Sequence, residues 1–111
     1  MTESLKMPQS EHLKSNREIR QLFKTGKTEK YTKKSIIFKS NDLNYSRIAC
    51  VIGKKVGNAP ERNAFKRVHR EAFRLTRTSF KKPVDVIIRF FPGYEKESTV
   101  SIQQQLKQLL C

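Results

Sequence analysis

Apolar positions recur along this chain with two periods, one near that of a helix and one of a strand. Ser15-Asn16-Arg17-Glu18 matches a capping box, in which the Ser hydroxyl takes a helical N–H and the Glu reaches back to the cap. Ile19, Leu22 and Phe23 follow at helical spacing and Gly26 is placed to close the segment, so a helix is expected over about 15–25. Residues 27–34 read as a basic, polar connection. Ser35–Lys39 and Arg47–Gly53 are short β-rich runs separated by the turn-forming stretch Asn41–Asn44, which predicts an antiparallel hairpin. Gly53 and Gly57 frame a loop carrying Lys54 and Lys55. Asn58-Ala59-Pro60-Glu61 then has the form of a helix start, with Pro in the first turn and an acid beside it. That helix should run over about 59–79. Val84–Phe91 reads as a strong strand, Pro92-Gly93 as a turn, and Glu97-Ser98-Thr99 as the start of a last helix bearing Ile102, Leu106, Leu109 and Leu110. Helix, strands, helix, strand, helix is the order of an α+β fold, with helices laid on a mixed sheet. The chain is expected to be a flexible segment over 1–12, polar and containing Pro8, followed by a single domain over 13–111.

The long central helix carries the chemistry. On a wheel of 100° per residue starting at Arg62, the cations Arg62, Lys66, Arg67, Arg70, Arg74 and Arg77 fall within about 0–140°. Phe65, Val68, Ala72 and Leu75 fall within about 220–300°, so one face should pack on a sheet while the other is crowded with charge. Phe73 falls at about 20°, inside the basic face, against the pattern. Asn63 lies within the stripe and His69 at its edge, where it could touch a ligand. Like charges at i,i+4 destabilise an isolated helix by about 0.2–0.5 kcal/mol per pair, a cost that makes sense if something anionic lies across them.

Composition points the same way. The 111 residues hold 24 Lys and Arg against 10 Asp and Glu, a formal net charge of +14. Such a chain repels itself unless a polyanion neutralises it. Arginine prevails within the helix, and its planar fork suits bidentate phosphate contact. No apolar run approaches the ~20 residues that span a bilayer, and the first residues lack the apolar core of an export signal, so a cytoplasmic protein with no membrane role is expected. Cys50 sits within an apolar run and reads as a small core hydrophobe; neither it nor Cys111 suggests a disulfide framework or a zinc site.

Catalytic chemistry is not apparent. His12 and His69 are far apart in sequence, and no Ser/His/Asp or Cys/His arrangement can be placed. Glu71 and Asp85 do not form the carboxylate cluster that a two-metal nuclease needs, so no catalytic side chain and no protein metal site is expected. Most aromatics should be core; Phe23 and Phe38 either join it or line a groove and stack on unpaired bases.

One continuous motif goes further. Lys54-Lys55-x-Gly57-Asn58-Ala59-x-x-Arg62-Asn63-x-x-Lys66-Arg67-x-x-Arg70-Glu71-x-Phe73-Arg74 resembles the signature of the bacterial ribonuclease P protein subunit, and the likeness extends over roughly residues 12–110. The resemblance implies a helix, a four-stranded mixed sheet and two further helices, with a left-handed βαβ crossover. It implies an RNA partner that holds the catalytic centre and most of the Mg2+, and a precursor tRNA whose 5′ leader is removed. By the same resemblance, Arg62, Asn63, Lys66, Arg67, Arg70 and Arg74 form an RNA-facing helix, with Lys54, Lys55 and Asn58 in a basic loop beside it. Ile19, Phe23 and Phe38 line a leader cleft. Two departures stand out: Ala64 occupies a position that is usually Arg, and Ile19 one that is often Phe. The rival readings are a ribosomal or general RNA-binding protein, a DNA-binding regulator poor in base-reading side chains, and a protein-only nuclease depending on a carboxylate such as Asp85 or Glu71.

Overall fold

The computed structural model describes residues 11–111. Helix α1 spans Asn16–Thr25, strands β1, β2 and β3 span Lys27–Tyr31, Lys34–Ser40 and Arg47–Val51, helix α2 spans Ala59–Thr76, strand β4 spans Val84–Phe90 and helix α3 spans Thr99–Leu110. Short 3₁₀ turns at Lys54–Val56 and Arg77–Ser79 lead into and out of α2.

The helix ends are set by local capping chemistry. The Ser15 hydroxyl accepts from the Glu18 N–H at 3.2 Å, but the Glu18 carboxylate does not return to the cap. It bonds Arg47 instead, at 3.3 and 3.2 Å, a charge-assisted pair that outcompetes a neutral N–H. The complete capping box lies at α2, where Asn58 and Glu61 exchange two bonds of 2.9 Å. Gly26 follows α1 in extended backbone, and its N–H bonds Leu22 O at 2.8 Å. A Cβ there would meet Leu22 O at 2.8 Å and Ile37 Cγ2 at 3.0 Å, so the glycine is needed for close approach to the sheet, not for a left-handed turn. Gly93, at φ +97, does need that freedom.

The four strands run in the order β1-β2-β4-β3. β1 and β4 flank β2, both antiparallel to it, while β3 pairs with β4 in parallel across the βαβ connection that contains α2. The expected hairpin of the second and third strands is therefore not formed, because β4 inserts between them. The hairpin belongs to β1 and β2, closed by a Thr32-Lys33 turn with Lys33 at φ 59. β1 gave no signal because it is an edge strand whose first four residues are exposed; polar residues there discourage edge-to-edge association.

Side chains alternate across the sheet. Ile36, Ile48, Val86, Ile88 and Phe90 meet Phe73 of α2 and Ile102, Leu106 and Leu110 of α3 in the larger core. Ile37, Ala49 and Ile87 meet Leu13 and Leu22 in the smaller one, beneath α1. The N-terminal approach joins this second layer. Leu13 is buried and donates to Ile48 O at 2.9 Å, His12 bridges Ile48 in parallel, and Glu11 pairs with Arg77. Glu11 and His12, expected to be flexible, are thus fastened along the free edge of β3. The rest of that segment lies outside the described residues.

One charged network is buried in the larger core. Lys34 is 1% exposed, and its Nζ lies 2.6 Å from Glu97 Oε1, 2.6 Å from Gln105 Oε1 and 3.2 Å from His69 Nε2. Tyr94 donates to Glu97 at 2.7 Å and Gln105 Nε2 to its other oxygen at 2.6 Å, so β2, α2, α3 and the segment before α3 are joined through one carboxylate. Burial pulls Lys34 below the ordinary lysine range, against the opposing effect of Glu97. Burial, aided by the Lys34 charge, pushes His69 down to about 4.

Candidate nucleic-acid interface

α2 is rotated relative to the face that the wheel suggests. Its buried residues are His69, Ala72, Phe73 and Thr76, centred near 330° on that wheel, while Leu75 is 45% exposed. The bulky Phe73 decides the rotation: it is fully buried and meets Phe80 edge-on at 5.9 Å. His69 turns inward with it. Its Nδ1 lies 2.9 Å from Phe65 O and its ring meets Phe90 edge-on at 4.9 Å, so it is not available to a ligand. Arg62 falls over the buried arc and donates to Gly57 O at 2.8 Å, tying the loop to the helix.

Arg77 leaves the stripe as well, since it lies beyond α2 in the 3₁₀ turn and pairs with Glu11, while the other four cations form one surface with Asn63. Asn63, Lys66, Arg67, Arg70 and Arg74 line an open cavity of about 410 Å³, with His12 and Glu71. His12 had no sequence signal pointing here; pairing of the chain beside it with β3 brings it across from Arg70. Burial and the charges of Arg70 and Lys14 hold it below the ordinary histidine range. Arg74 is held by the Glu71 carboxylate, which it holds below the usual carboxylate range in turn. Ala64 does not line this cavity, so its missing guanidinium leaves the surface charged. Lys54 and Lys55 lie exposed on the 3₁₀ turn before α2, and Asn58 has its side-chain oxygen committed to the cap.

The expected aromatic cleft is rearranged. Ile19 and Phe23 pack at the rim of the smaller core, on the α1 face. Phe38 packs against the larger core, on the opposite face, and does not meet them. The register of β2 dictates this, since Ile37 points toward α1 and its neighbour must point away. What stands beside Phe23 is Arg89, whose guanidinium carbon lies 5.6 Å from the Phe23 ring centroid and 5.1 Å from that of Phe91. With Ile19 and Val51 these residues give the α1 face an apolar and aromatic surface with a cation over two rings.

Several of the acids have structural partners. Asp85 receives Arg47 at 2.9 and 2.7 Å and Asn41 at 2.8 Å. Glu11, Glu71 and Glu97 pair with Arg77, Arg74 and Lys34. Among the described residues no three of His, Cys, Asp and Glu gather into a cluster. Cys50 packs against the larger core, and burial raises its thiol to about 11. Among the described residues no helix is long and apolar enough to cross a membrane.

A basic α+β domain, with one helix devoted to cations and a separate aromatic surface, defines a class of protein suited to a polyanion. The family model for ribonuclease P matches residues 7–111, and on that match the chain belongs to the ribonuclease P protein family. It is 36% identical over 84 residues to the ribonuclease P protein component of Syntrophus aciditrophicus (strain SB), covering 76% of this chain and 71% of that one. It is 31% identical over 114 residues to that of Thermotoga maritima, covering 99% and 96%. The solved RNase P protein from Thermotoga maritima, in complex with 1-(4-fluorophenyl)-2-thiourea, superposes with a TM-score of 0.75 at 29% identity over 89% of this chain and 96% of that one. The family likeness thus extends to the three helices and four-stranded mixed sheet.

Proposed function

We propose that this protein is the RNA-binding component of ribonuclease P and assists a catalytic RNA in removing the 5′ leader from precursor tRNA. The observation that carries this reading is the family match over residues 7–111, and the surface of Asn63, Lys66, Arg67, Arg70 and Arg74 supplies a dense set of phosphate-binding groups on one rigid helix. Arg62 ties Gly57 of the adjoining loop to the helix, and Lys54 and Lys55, exposed on that loop, offer further phosphate contacts. The catalytic RNA and its substrate repel each other. A partner of net charge +14 lowers that repulsion and reduces the Mg2+ that the pair requires. Mg2+ held mainly by the RNA supplies the chemistry, and no side chain of this protein attacks the scissile phosphate. That division agrees with the structural engagement of Asp85, Glu71 and Glu97. The reading places the protein in the cytoplasm with its RNA.

The leader lies on the α1 face. Phe23 and Phe91 offer stacking surfaces, Ile19 and Val51 an apolar floor, and Arg89 a cation for the backbone. Every base has a π-face, so such a surface binds unpaired leaders with little sequence preference. Phe38 takes no part in it. The test is the affinity of the reconstituted holoenzyme for precursor tRNA and for the same tRNA without a leader. Phe23→Leu and Arg89→Ala should each weaken precursor binding at least about fivefold and leave leaderless tRNA unaffected. Equal loss for both RNAs, or none, would refute the leader assignment. A general RNA-binding protein would show the same charged helix, but no effect on leader removal.

A further inference from the structure

Phe38 belongs to neither surface described above, yet it is only partly buried. It lines an open cavity of about 500 Å³ between the start of β1, the end of β2, the start of β4 and the end of α3. Lys27, Lys39, Lys81 and Lys82 stand around it, all four exposed, and no carboxylate side chain lines the cavity. Among the described residues no ion pair engages any of the four; Lys39 Nζ bonds only the Thr25 hydroxyl, at 3.2 Å. Leu109 and Val84 complete an apolar wall beside the ring. The cavity shares no residue with the one beside α2, and it lies at the end of the sheet, reaching from Phe38 on one face to Thr25 and Lys39 beside α1.

We propose that this cavity is a second binding site for single-stranded RNA, in which Phe38 receives one unpaired base and Lys27, Lys39, Lys81 and Lys82 hold the flanking phosphates. An anion entering the hollow meets four exposed ammonium groups, none held in an ion pair among the described residues. An apolar ring among cations is the arrangement that follows an unpaired strand, pairing a stacking platform with phosphate contacts. A duplex fits poorly, because its bases are already stacked and the ring lies inside a hollow. An acidic peptide could satisfy the lysines but would make no use of the ring.

The site can be read directly on the ¹⁵N-labelled wild-type protein, by following amide shifts while a short oligouridylate is added. The amides of Lys27, Phe38, Lys39, Lys81 and Lys82 should shift and saturate together. Lys81→Ala with Lys82→Ala should then lower the log–log salt dependence of binding at these amides by about 1.4, or ~0.7 per lost phosphate contact on a single strand. Phe38→Leu keeps the cavity apolar and should weaken the oligouridylate at this site roughly 5- to 150-fold. The same substitution should leave any binding of duplex RNA unchanged. Shifts confined to the α1 face and α2 would overturn the proposal. So would shifts that follow protein concentration alone, marking contact between copies of the chain. Equal shifts with polyglutamate, insensitive to Phe38→Leu, would overturn it as well by reducing the site to an ionic patch. The wild-type mapping decides the matter even if a variant fails to fold.

Discussion

Replacing Glu97 with Gln probes the buried network without changing its shape. Glu97 is the carboxylate facing Lys34, at 2.6 Å, and Lys34 is 1% exposed. Removing one partner of such a pair costs about 3–5 kcal/mol, because the other charge stays buried. The lysine has one escape, which is to lose its proton. From an ordinary value of 10.5 that costs about 5 kcal/mol at pH 7 but only about 2 kcal/mol at pH 9, at ~1.36 kcal/mol per unit. The penalty therefore has a ceiling that falls as pH rises. In the variant the folded lysine sheds a proton that the unfolded chain keeps up to about its ordinary value. Stability relative to wild type should accordingly climb with pH, by up to ~1.4 kcal/mol per unit. Urea unfolding followed by circular dichroism at pH 7, 8 and 9 measures this. Glu97→Gln should lose about 3–4 kcal/mol at pH 7 and about half of that at pH 9. The double variant Lys34→Met, Glu97→Gln should recover most of the loss at every pH, since no charge remains. A Glu97→Gln loss below about 0.5 kcal/mol at pH 7, or one independent of pH, would refute the reasoning.

Three further outcomes follow from the same contacts. His69, held at about 4 against an ordinary 6.5, is neutral in the fold at pH 7; the unfolded chain takes up the proton first as pH falls, so about 3 kcal/mol should be lost between pH 6.5 and 4. An imidazole NMR titration with a midpoint near 6.5 would contradict that. Asp85→Asn leaves Arg47 without its main counter-charge and should cost about 1–3 kcal/mol in urea unfolding while RNA affinity persists; loss of activity without loss of stability would restore the nuclease reading. Replacing Lys66, Arg67 and Arg70 with Ala should lower the salt slope of RNA binding by about 0.7–0.9 per lost phosphate contact. An unchanged slope, with circular dichroism intact, would mean a merely solvated face.

The sequence was most legible where structure is decided locally. Ser15, Asn58 and Ser98 cap the three helices within one or two residues of the expected starts, because a cap is a contact between near neighbours. Pairing was less legible. Nothing local told β2 that its neighbour would be β4, and the polar edge strand β1 carried no apolar alternation at all. The charge stripe survived a rotation of α2 by several tens of degrees, because it is broad; the apolar arc did not, because Phe73 outweighs Leu75. Phe38 went to the wrong face for a similar reason: one residue of strand register moves a side chain across the sheet. The burial of Lys34 is invisible in sequence, since only the meeting of Glu97, Gln105 and His69 makes it tolerable.

The central claim is that this protein serves a catalytic RNA and does no cleavage itself. Its most direct test is cleavage of a precursor tRNA at low Mg2+ by a bacterial ribonuclease P RNA, with and without this protein, and by the protein alone. Correct 5′ maturation should require both components. Cleavage by the protein alone would contradict the placement of catalysis on the RNA, and no stimulation by a folded, RNA-binding protein would contradict its role as a ribonuclease P subunit.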